Sequence, residues 1–228
     1  MAGLALGLAG YAVPGQAGSS AQPPAVYLIR HGEKVSHVGC LNQTGTARAA
    51  MLPKVFDGRS AFRVPDALFA YEYPNPICQR CHQTLEPIAK AYHLSVGFQP
   101  GGLPGEDPAT TTAAAAIRHA LLSYRTILVA WEHHQLPSLA TAFGVPSESL
   151  PGAPTDEDVA GGELWPASDF DTVYLLTFPA GASGPANFTV ASEGLVCHAH
   201  TCRRTEHQVE RARSPAAGAL EPFPQPSL

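Results

Sequence analysis

Two patterns of apolar residues alternate along the chain. Unbroken apolar runs predict buried strands at residues 26–29, 66–73, 126–131 and 171–178. Between them, apolar residues recur every three or four positions, which predicts amphipathic helices that bury one face. The four apolar faces are Leu52/Val55/Phe56, Leu85/Ile88/Ala89/Tyr92, Ile117/Leu121/Tyr124 and Leu136/Leu139/Ala140/Phe143.

Proline, glycine and threonine mark the predicted ends and interruptions of these elements. Pro53 lies inside the first helical pattern, and we expect it to kink or restart that helix because proline has no N–H to donate. The segment FQPGGLPGEDP predicts a loop, and the threonines at 110–112 can cap the helix that follows. Gly144 is a natural stop for the fourth helix. Beyond Phe178 the pattern weakens.

Strands that alternate with helices predict an α/β fold. Right-handed crossovers would place helices on both faces of a mainly parallel sheet, which makes a three-layer sandwich. We expect this domain to cover residues 24–180. A signal-like or disordered segment (1–23) would precede it, and a partly packed C-terminal extension (181–212) and a disordered tail (213–228) would follow.

The composition fits one globular domain that acts on a small molecule. The 228 residues are 45% hydrophobic, which is enough for one substantial core, and 21 glycines and 22 prolines predict extensive loops. The net charge is −5 and no run of Lys or Arg is present, which argues against a nucleic-acid partner. No apolar run approaches the length of an integral membrane segment.

The N-terminal sequence bears on the cellular compartment. MAGLALGLAGYAVPGQAGSSAQPP has an apolar stretch followed by small residues, as in a secretory signal, but it lacks the positively charged start. This pattern predicts a secreted or periplasmic protein. The alternative is a cytoplasmic protein with an unstructured Ala/Gly extension.

The five cysteines allow more than one interpretation. In an oxidising compartment Cys197 could pair with Cys202, and two of Cys40, Cys78 and Cys81 could pair, which leaves one thiol. A zinc site is the alternative, because Cys78 and Cys81 are closely spaced and CHAHTC (197–202) is a compact set of soft ligands. Nothing in the sequence brings these two segments together, so we expect no metal.

Polar residues follow three of the predicted strands. Arg30 and His31 come directly after the first strand, Arg80 begins the helix after the second, and the sequence Glu-His-His (132–134) follows the third. Ligands bind at the carboxyl ends of the strands in such sheets, so we expect these side chains to converge. Two arginines and two histidines near helix N-termini would suit a phosphate group.

These motifs carry a family resemblance. YLIRHGEK, then QRCHQT, then ILVAWEHHQLP resemble the histidine phosphatase superfamily, in its phosphoglycerate mutase-like branch, over roughly residues 25–178. The resemblance implies a phosphoglycerate mutase-like fold and a metal-independent phosphatase that needs no cofactor and acts on a small phosphorylated substrate. A phosphomutase with the same intermediate and a non-catalytic protein that binds phosphate or a phosphorylated ligand are the alternatives. The substrate and the oligomeric state cannot be read from the sequence.

The resemblance also implies a role for each basic residue. His31 would be the nucleophile that takes the phosphoryl group, and Arg30 and Arg80 would bind its oxygens. His133 would be the second histidine, which donates to the phosphoryl oxygens in the transition state. His134 is a rival for that role, but the WEH pattern ends on His133.

The acidic residues are assigned by the same resemblance. The proton donor to the leaving alcohol is expected in the loop LPGEDP, where we choose Glu106 with Asp107 as the alternative. Glu33 and Glu132 lie nearer the predicted phosphate pocket. We expect them to orient neighbouring groups or to face solvent.

Overall fold

The computed structural model describes residues 22–36, 39–74, 77–100, 107–151, 165–179 and 186–205. In chain order the elements are β1 (Ala25–Arg30), α1 (Gln43–Val55), β2 (Ala67–Glu72), α2 (Arg80–Tyr92), β3 (Val96–Pro100), α3 (Asp107–Ala120), β4 (Thr126–Trp131), α4 (Leu136–Ala142), β5 (Thr172–Thr177), β6 (Asn187–Ser192), β7 (Leu195–His198) and β8 (Thr201–Arg204). A short 3₁₀ turn, His133–Gln135, leads from β4 into α4.

Strands β1 to β6 form one mixed sheet in the order β3-β2-β4-β1-β5-β6. The first four strands in this order are parallel, whereas β5 and β6 pair antiparallel. From the central strand β1 the chain passes through α1 and α2 to the edge strand β3, and it returns through α3 and α4. Right-handed crossovers therefore place α1 and α2 on one face of the sheet and α3 and α4 on the other. The predicted α/β fold with a mainly parallel sheet is confirmed.

The centre of the sheet is fully covered. Every residue of β1 and of β4 is buried, as expected for parallel strands with helices on both faces. On the α1 side, Tyr27 lies 5.4 Å from both Phe56 and Phe62, measured between ring centroids. This packing explains why the two central strands have continuous apolar sequences without polar alternation.

Three local predictions were wrong. Residues 98–100 were predicted to be a loop but belong to the edge strand β3. This strand is held by backbone hydrogen bonds to β2, a pairing that its own short sequence does not indicate. Helix α3 begins at Asp107, before the predicted threonine cap. The predicted restart of α1 at Pro53 is wrong too, because the helix continues through Pro53 to Val55. Leu52 and Val55 are fully buried, and this packing holds the last turn despite the missing N–H.

The segment beyond residue 180 joins the fold through β6 at the sheet edge and through the hairpin β7–β8. Cys197 and Cys202 are paired across this hairpin in a disulfide, and the Arg204 guanidinium donates to the Lys54 carbonyl at 3.0 Å. None of the described helices is long and apolar enough to cross a membrane.

A second disulfide joins Cys40 to Cys78. Among the described residues this leaves Cys81 as a buried free thiol. Three of the four cysteines weighed as zinc ligands, Cys78, Cys197 and Cys202, are therefore in disulfides, and the alternative of a cysteine-based zinc site is wrong.

Candidate functional site

The ends of β1 and β4 lie side by side and place the two histidine motifs together. Arg30 pairs with Trp131 in the parallel ladder, and the His31 backbone N–H donates to the Trp131 carbonyl at 3.2 Å. His31 and Glu132 are consequently the first residues beyond neighbouring strand ends. On the other side of β4, β2 ends just before Tyr73. The site lies at the carboxyl edge of the parallel strands, where the topology predicts it.

The His31 imidazole is held in one orientation. Its Nδ1 lies 2.7 Å from the Gly32 carbonyl oxygen, so we place the proton on Nδ1 and the lone pair on Nε2. Burial lowers the pKa of His31, and the nearby Glu132 carboxylate offsets this only in part. A neutral imidazole with a free lone pair on Nε2 is the form that can act as a nucleophile.

The turn after His31 is fixed by the two helices on its face of the sheet. The Gly32 N–H donates to the Thr84 hydroxyl at 2.9 Å, and that hydroxyl donates to the Arg80 carbonyl at 2.8 Å. A Cβ at Gly32 would lie 3.0 Å from the Gly45 Cα, so glycine allows α1 to approach the turn closely. The turn that carries His31 is thereby coupled to the start of α2.

The Glu132 carboxylate lies at the centre of the site. Its Oε2 contacts the Arg80 guanidinium, accepts a hydrogen bond from the Tyr73 hydroxyl at 2.8 Å and lies 3.5 Å from His31 Nε2. Its Oε1 lies 2.6 Å from His133 Nδ1. Burial alone would raise the pKa of Glu132, but the contact with His133 and the charge of Arg80 hold it well below its usual value.

Arg80 begins α2 and is supported from two sides. Its guanidinium lies 3.8 Å above the centre of the Tyr73 ring, and the Cys40–Cys78 disulfide joins the segment before α2 to the segment before α1. The Cys81 sulfur lies 3.3 Å from the Tyr73 hydroxyl. Burial raises the pKa of the Cys81 thiol, so it stays protonated and is a poor nucleophile.

Arg30 is committed mainly to the loop before β5. Its Nη1 donates to the carbonyls of Pro166, Ala167 and Asp169 at 3.2, 2.8 and 3.0 Å, and its guanidinium lies 3.9 Å above the Phe170 ring. This arrangement fixes the loop to the end of β1. The contact between Arg30 and a phosphate group stays a prediction. It would be made by guanidinium nitrogens other than Nη1.

The two histidines after β4 differ in exposure. His133 is buried, and its ring centroid lies 6.0 Å from that of His31, whereas His134 is exposed and stacks on His133. The structure therefore gathers His31, Arg80 and His133 in one pocket. Glu106 lies outside the described residues, and Asp107 begins α3.

Glu132 was expected to orient neighbours or to face solvent, but it is buried and occupies the pocket itself. Its ligand atom and those of His31 and His133 lie within 4.8 Å of one another, a spacing that could hold a metal ion. Arg80 binds the same carboxylate and opposes a cation there. The position of Glu132, directly after a fully buried parallel strand, was the sequence signal for a residue inside the site.

Sequence reasoning missed a buried ionic network beside the pocket. The Arg48 guanidinium donates to Glu33 at 2.9 Å and to Glu193 at 3.2 Å. Burial raises the pKa of Glu193 to about 8, although Arg48 acts in the opposite direction. Arg48 precedes Leu52 by four residues, on the apolar face of α1. A charge at such a position was the available signal for a buried partner.

Comparisons with known proteins were made at three levels. No protein-family model and no curated protein matches this sequence. Similar solved structures include the protein histidine phosphatase SixA complexed with tungstate, with 17% sequence identity and a TM-score of 0.48, over 74% of this chain and 97% of that chain. They also include a mycobacterial glucosyl-3-phosphoglycerate phosphatase with VO₃ (10% identity, TM-score 0.48, 74% and 98% coverage).

A third similar structure is phosphoserine phosphatase from Entamoeba histolytica in complex with phosphoserine, with 12% identity and a TM-score of 0.46, over 74% of this chain and 96% of that chain. At sequence identities of 10% to 17%, the similarity concerns only the course of the backbone. The chemistry of this chain has to be argued from the side chains of its own pocket.

Proposed function

We propose that the protein is a histidine phosphatase that hydrolyses small phosphomonoesters through a phosphohistidine on His31. The observation that carries this proposal is the geometry of His31. Its Nδ1 is bound to the Gly32 carbonyl, and its Nε2 lies 3.5 Å from the Glu132 carboxylate, which also contacts Arg80 and His133. A buried neutral imidazole beside a guanidinium provides both a nucleophile and a positive charge for the phosphoryl oxygens.

The proposed reaction has two steps. In the first, the Nε2 lone pair of His31 attacks phosphorus, the bond from phosphorus to the ester oxygen breaks, and the departing oxygen takes a proton to become an alcohol. In the second, water attacks the same phosphorus and gives a proton to the group that protonated the alcohol, the N–P bond breaks, and inorganic phosphate leaves while the electron pair returns to Nε2. The lowered pKa of His31 favours this reaction because the imidazole starts without a proton on Nε2.

The surrounding groups would stabilise the charge that spreads over the phosphoryl oxygens. Arg80 offers a fixed guanidinium, stacked on Tyr73, and His133 offers a ring nitrogen on the other side of the same carboxylate. Glu106 is proposed as the proton donor to the alcohol, on the strength of the family resemblance. No step of this reaction requires a metal or a cofactor.

The test is hydrolysis of an aryl phosphate by the purified protein, with and without a chelator. We expect turnover that the chelator leaves unchanged and that His31→Ala lowers about 10³-fold or more. Turnover that is retained in His31→Ala would contradict the mechanism. Phosphate binding without turnover over a broad panel of phosphomonoesters would favour the non-catalytic alternative.

The paired histidines provide a matched control. His133→Ala should lower kcat about 10²- to 10³-fold, because it removes a group expected to contact the transition state. His134→Ala removes the neighbouring exposed ring and should leave activity close to that of the wild type. Equal losses in both variants would show that the turn, rather than the His133 side chain, matters.

We also infer that the protein works in an oxidising compartment, as a secreted or periplasmic enzyme would. Two disulfides in one chain support this, because such bonds persist outside the reducing cytosol. The signal-like N-terminal sequence points in the same direction.

A further inference from the structure

The groups that contact the Glu132 carboxylate are the groups expected to receive a phosphoryl group. Oε2 meets the Arg80 guanidinium, the Tyr73 hydroxyl and the Nε2 side of His31, while Oε1 meets His133. A carboxylate and a phosphoryl group both present anionic oxygens to donors of this kind. The side chain of the protein thus makes the contacts that a substrate would need.

The two anions cannot occupy the pocket at once. Attack by His31 requires phosphorus at roughly 3 to 3.5 Å from Nε2. Glu132 Oε2 already lies 3.5 Å from this nitrogen. A phosphoryl group that approaches Nε2 from the side of Arg80 and His133 would therefore overlap the carboxylate, which contacts both of them.

Charge adds to this exclusion. The contact with His133 and the charge of Arg80 hold the pKa of Glu132 well below its usual value, so the carboxylate remains ionised in the closed pocket. A phosphate dianion brought to within about 4 Å of this charge would be repelled. The single positive charge of Arg80 is already shared with Glu132.

We propose that Glu132 is an internal ligand of the phosphate pocket, which must leave Arg80 and His133 before a phosphoryl group can bind. This inference rests on the proposed function for the identity of the displaced ligand. The apparent affinity for a phosphoryl group is then reduced by the fraction of molecules in which Glu132 is in place. Free inorganic phosphate binds weakly as a result, and esters whose remaining part makes further contacts are selected.

The test is calorimetric titration of inorganic phosphate into the full-length wild type, Glu132→Gln and Glu132→Ala. Glutamine removes the charge at nearly constant shape, and alanine removes both the charge and the occupying atoms. We expect both variants to bind phosphate at least about tenfold more tightly than the wild type. Glu86→Gln is the matched control, because it removes an exposed carboxylate from the same helix as Arg80 and should leave the dissociation constant unchanged.

The opposite result has a clear meaning. If both Glu132 variants, shown to be folded by their thermal transitions, bind phosphate as weakly as the wild type or more weakly, the internal-ligand role is refuted. Glu132 would then position Arg80 and His133.

The two proposals fail in different ways. Tighter phosphate binding by the Glu132 variants with no hydrolysis by the wild type would refute the enzyme and retain the internal ligand. Hydrolysis that depends on His31, together with weaker phosphate binding by the Glu132 variants, would support the enzyme and refute the internal ligand.

Discussion

Replacing Glu193 with glutamine should change how the stability of the protein depends on pH. Glu193 is 1% exposed and contacts Arg48 at 3.2 Å. Burial raises the pKa of its carboxyl from 4.5 to about 8, with Arg48 opposing the shift and Asp171 adding to it. The glutamine amide keeps the size and hydrogen-bonding capacity of the side chain but does not titrate.

The magnitude follows from the difference between the folded and unfolded pKa values. Between pH 4.5 and about 8 the folded state retains this proton while the unfolded state releases it. The contribution of Glu193 is fully present below pH 4.5 and is lost as the pH rises to about 8. Each unit of difference in pKa corresponds to 1.36 kcal/mol, so the unfolding free energy falls by about 3 to 5 kcal/mol across this range.

The assay is denaturant unfolding of the wild type and Glu193→Gln at several pH values across this window. The difference in unfolding free energy between the two proteins should move in favour of the glutamine variant as the pH rises, by about 3 to 5 kcal/mol. Glu86→Gln, which removes an exposed carboxylate, should run parallel to the wild type. Parallel curves for the wild type and Glu193→Gln would refute the reasoning, because Glu193 would then titrate alike in the folded and unfolded states.

Two simpler measurements test the covalent and backbone features. A thiol reagent applied to the denatured, unreduced protein should modify one cysteine, Cys81, and after reduction it should modify all five. Modification of more than one cysteine before reduction would contradict the two disulfides. Gly45→Ala should lower the unfolding free energy by about 3 kcal/mol, because a Cβ there would lie 2.2 Å from the Glu33 carbonyl oxygen, and backbone atoms cannot move aside cheaply. A variant with the wild-type melting temperature would show that this contact is not tight.

The sequence predicted the central strands well because their burial leaves a direct trace in composition. The predicted strand Thr126–Trp131 coincides with β4, and β1 extends the predicted run by one residue at each end. Both strands are covered on both faces, so their positions are apolar except at one end of each, Arg30 in β1 and Thr126 in β4. Strands β3 and β6 lie at the two edges of the sheet. Their side chains are only partly covered, and no continuous apolar run marks them.

The convergence of the basic residues could also be predicted, because it follows from topology. His31 follows β1, His133 lies just beyond β4, and Arg80 begins the helix after β2, so parallel pairing alone brings them to one edge. The cysteine pairs could be predicted only in part from the sequence. Cys197 and Cys202 are close in sequence, but 38 positions separate Cys40 from Cys78, and only the fold selects Cys78 over Cys81.

The order of apolar runs, helical faces and strand-end residues determined the α/β architecture and the edge at which chemistry can occur, since these depend on local periodicity and chain connectivity. The tertiary structure alone decided that Glu132 turns into the pocket and that Arg48 joins Glu33 to Glu193. A carboxylate or guanidinium can face water or a buried partner from the same position in the sequence. The choice depends on which opposite charges the rest of the chain brings within reach, and that is a property of the whole fold.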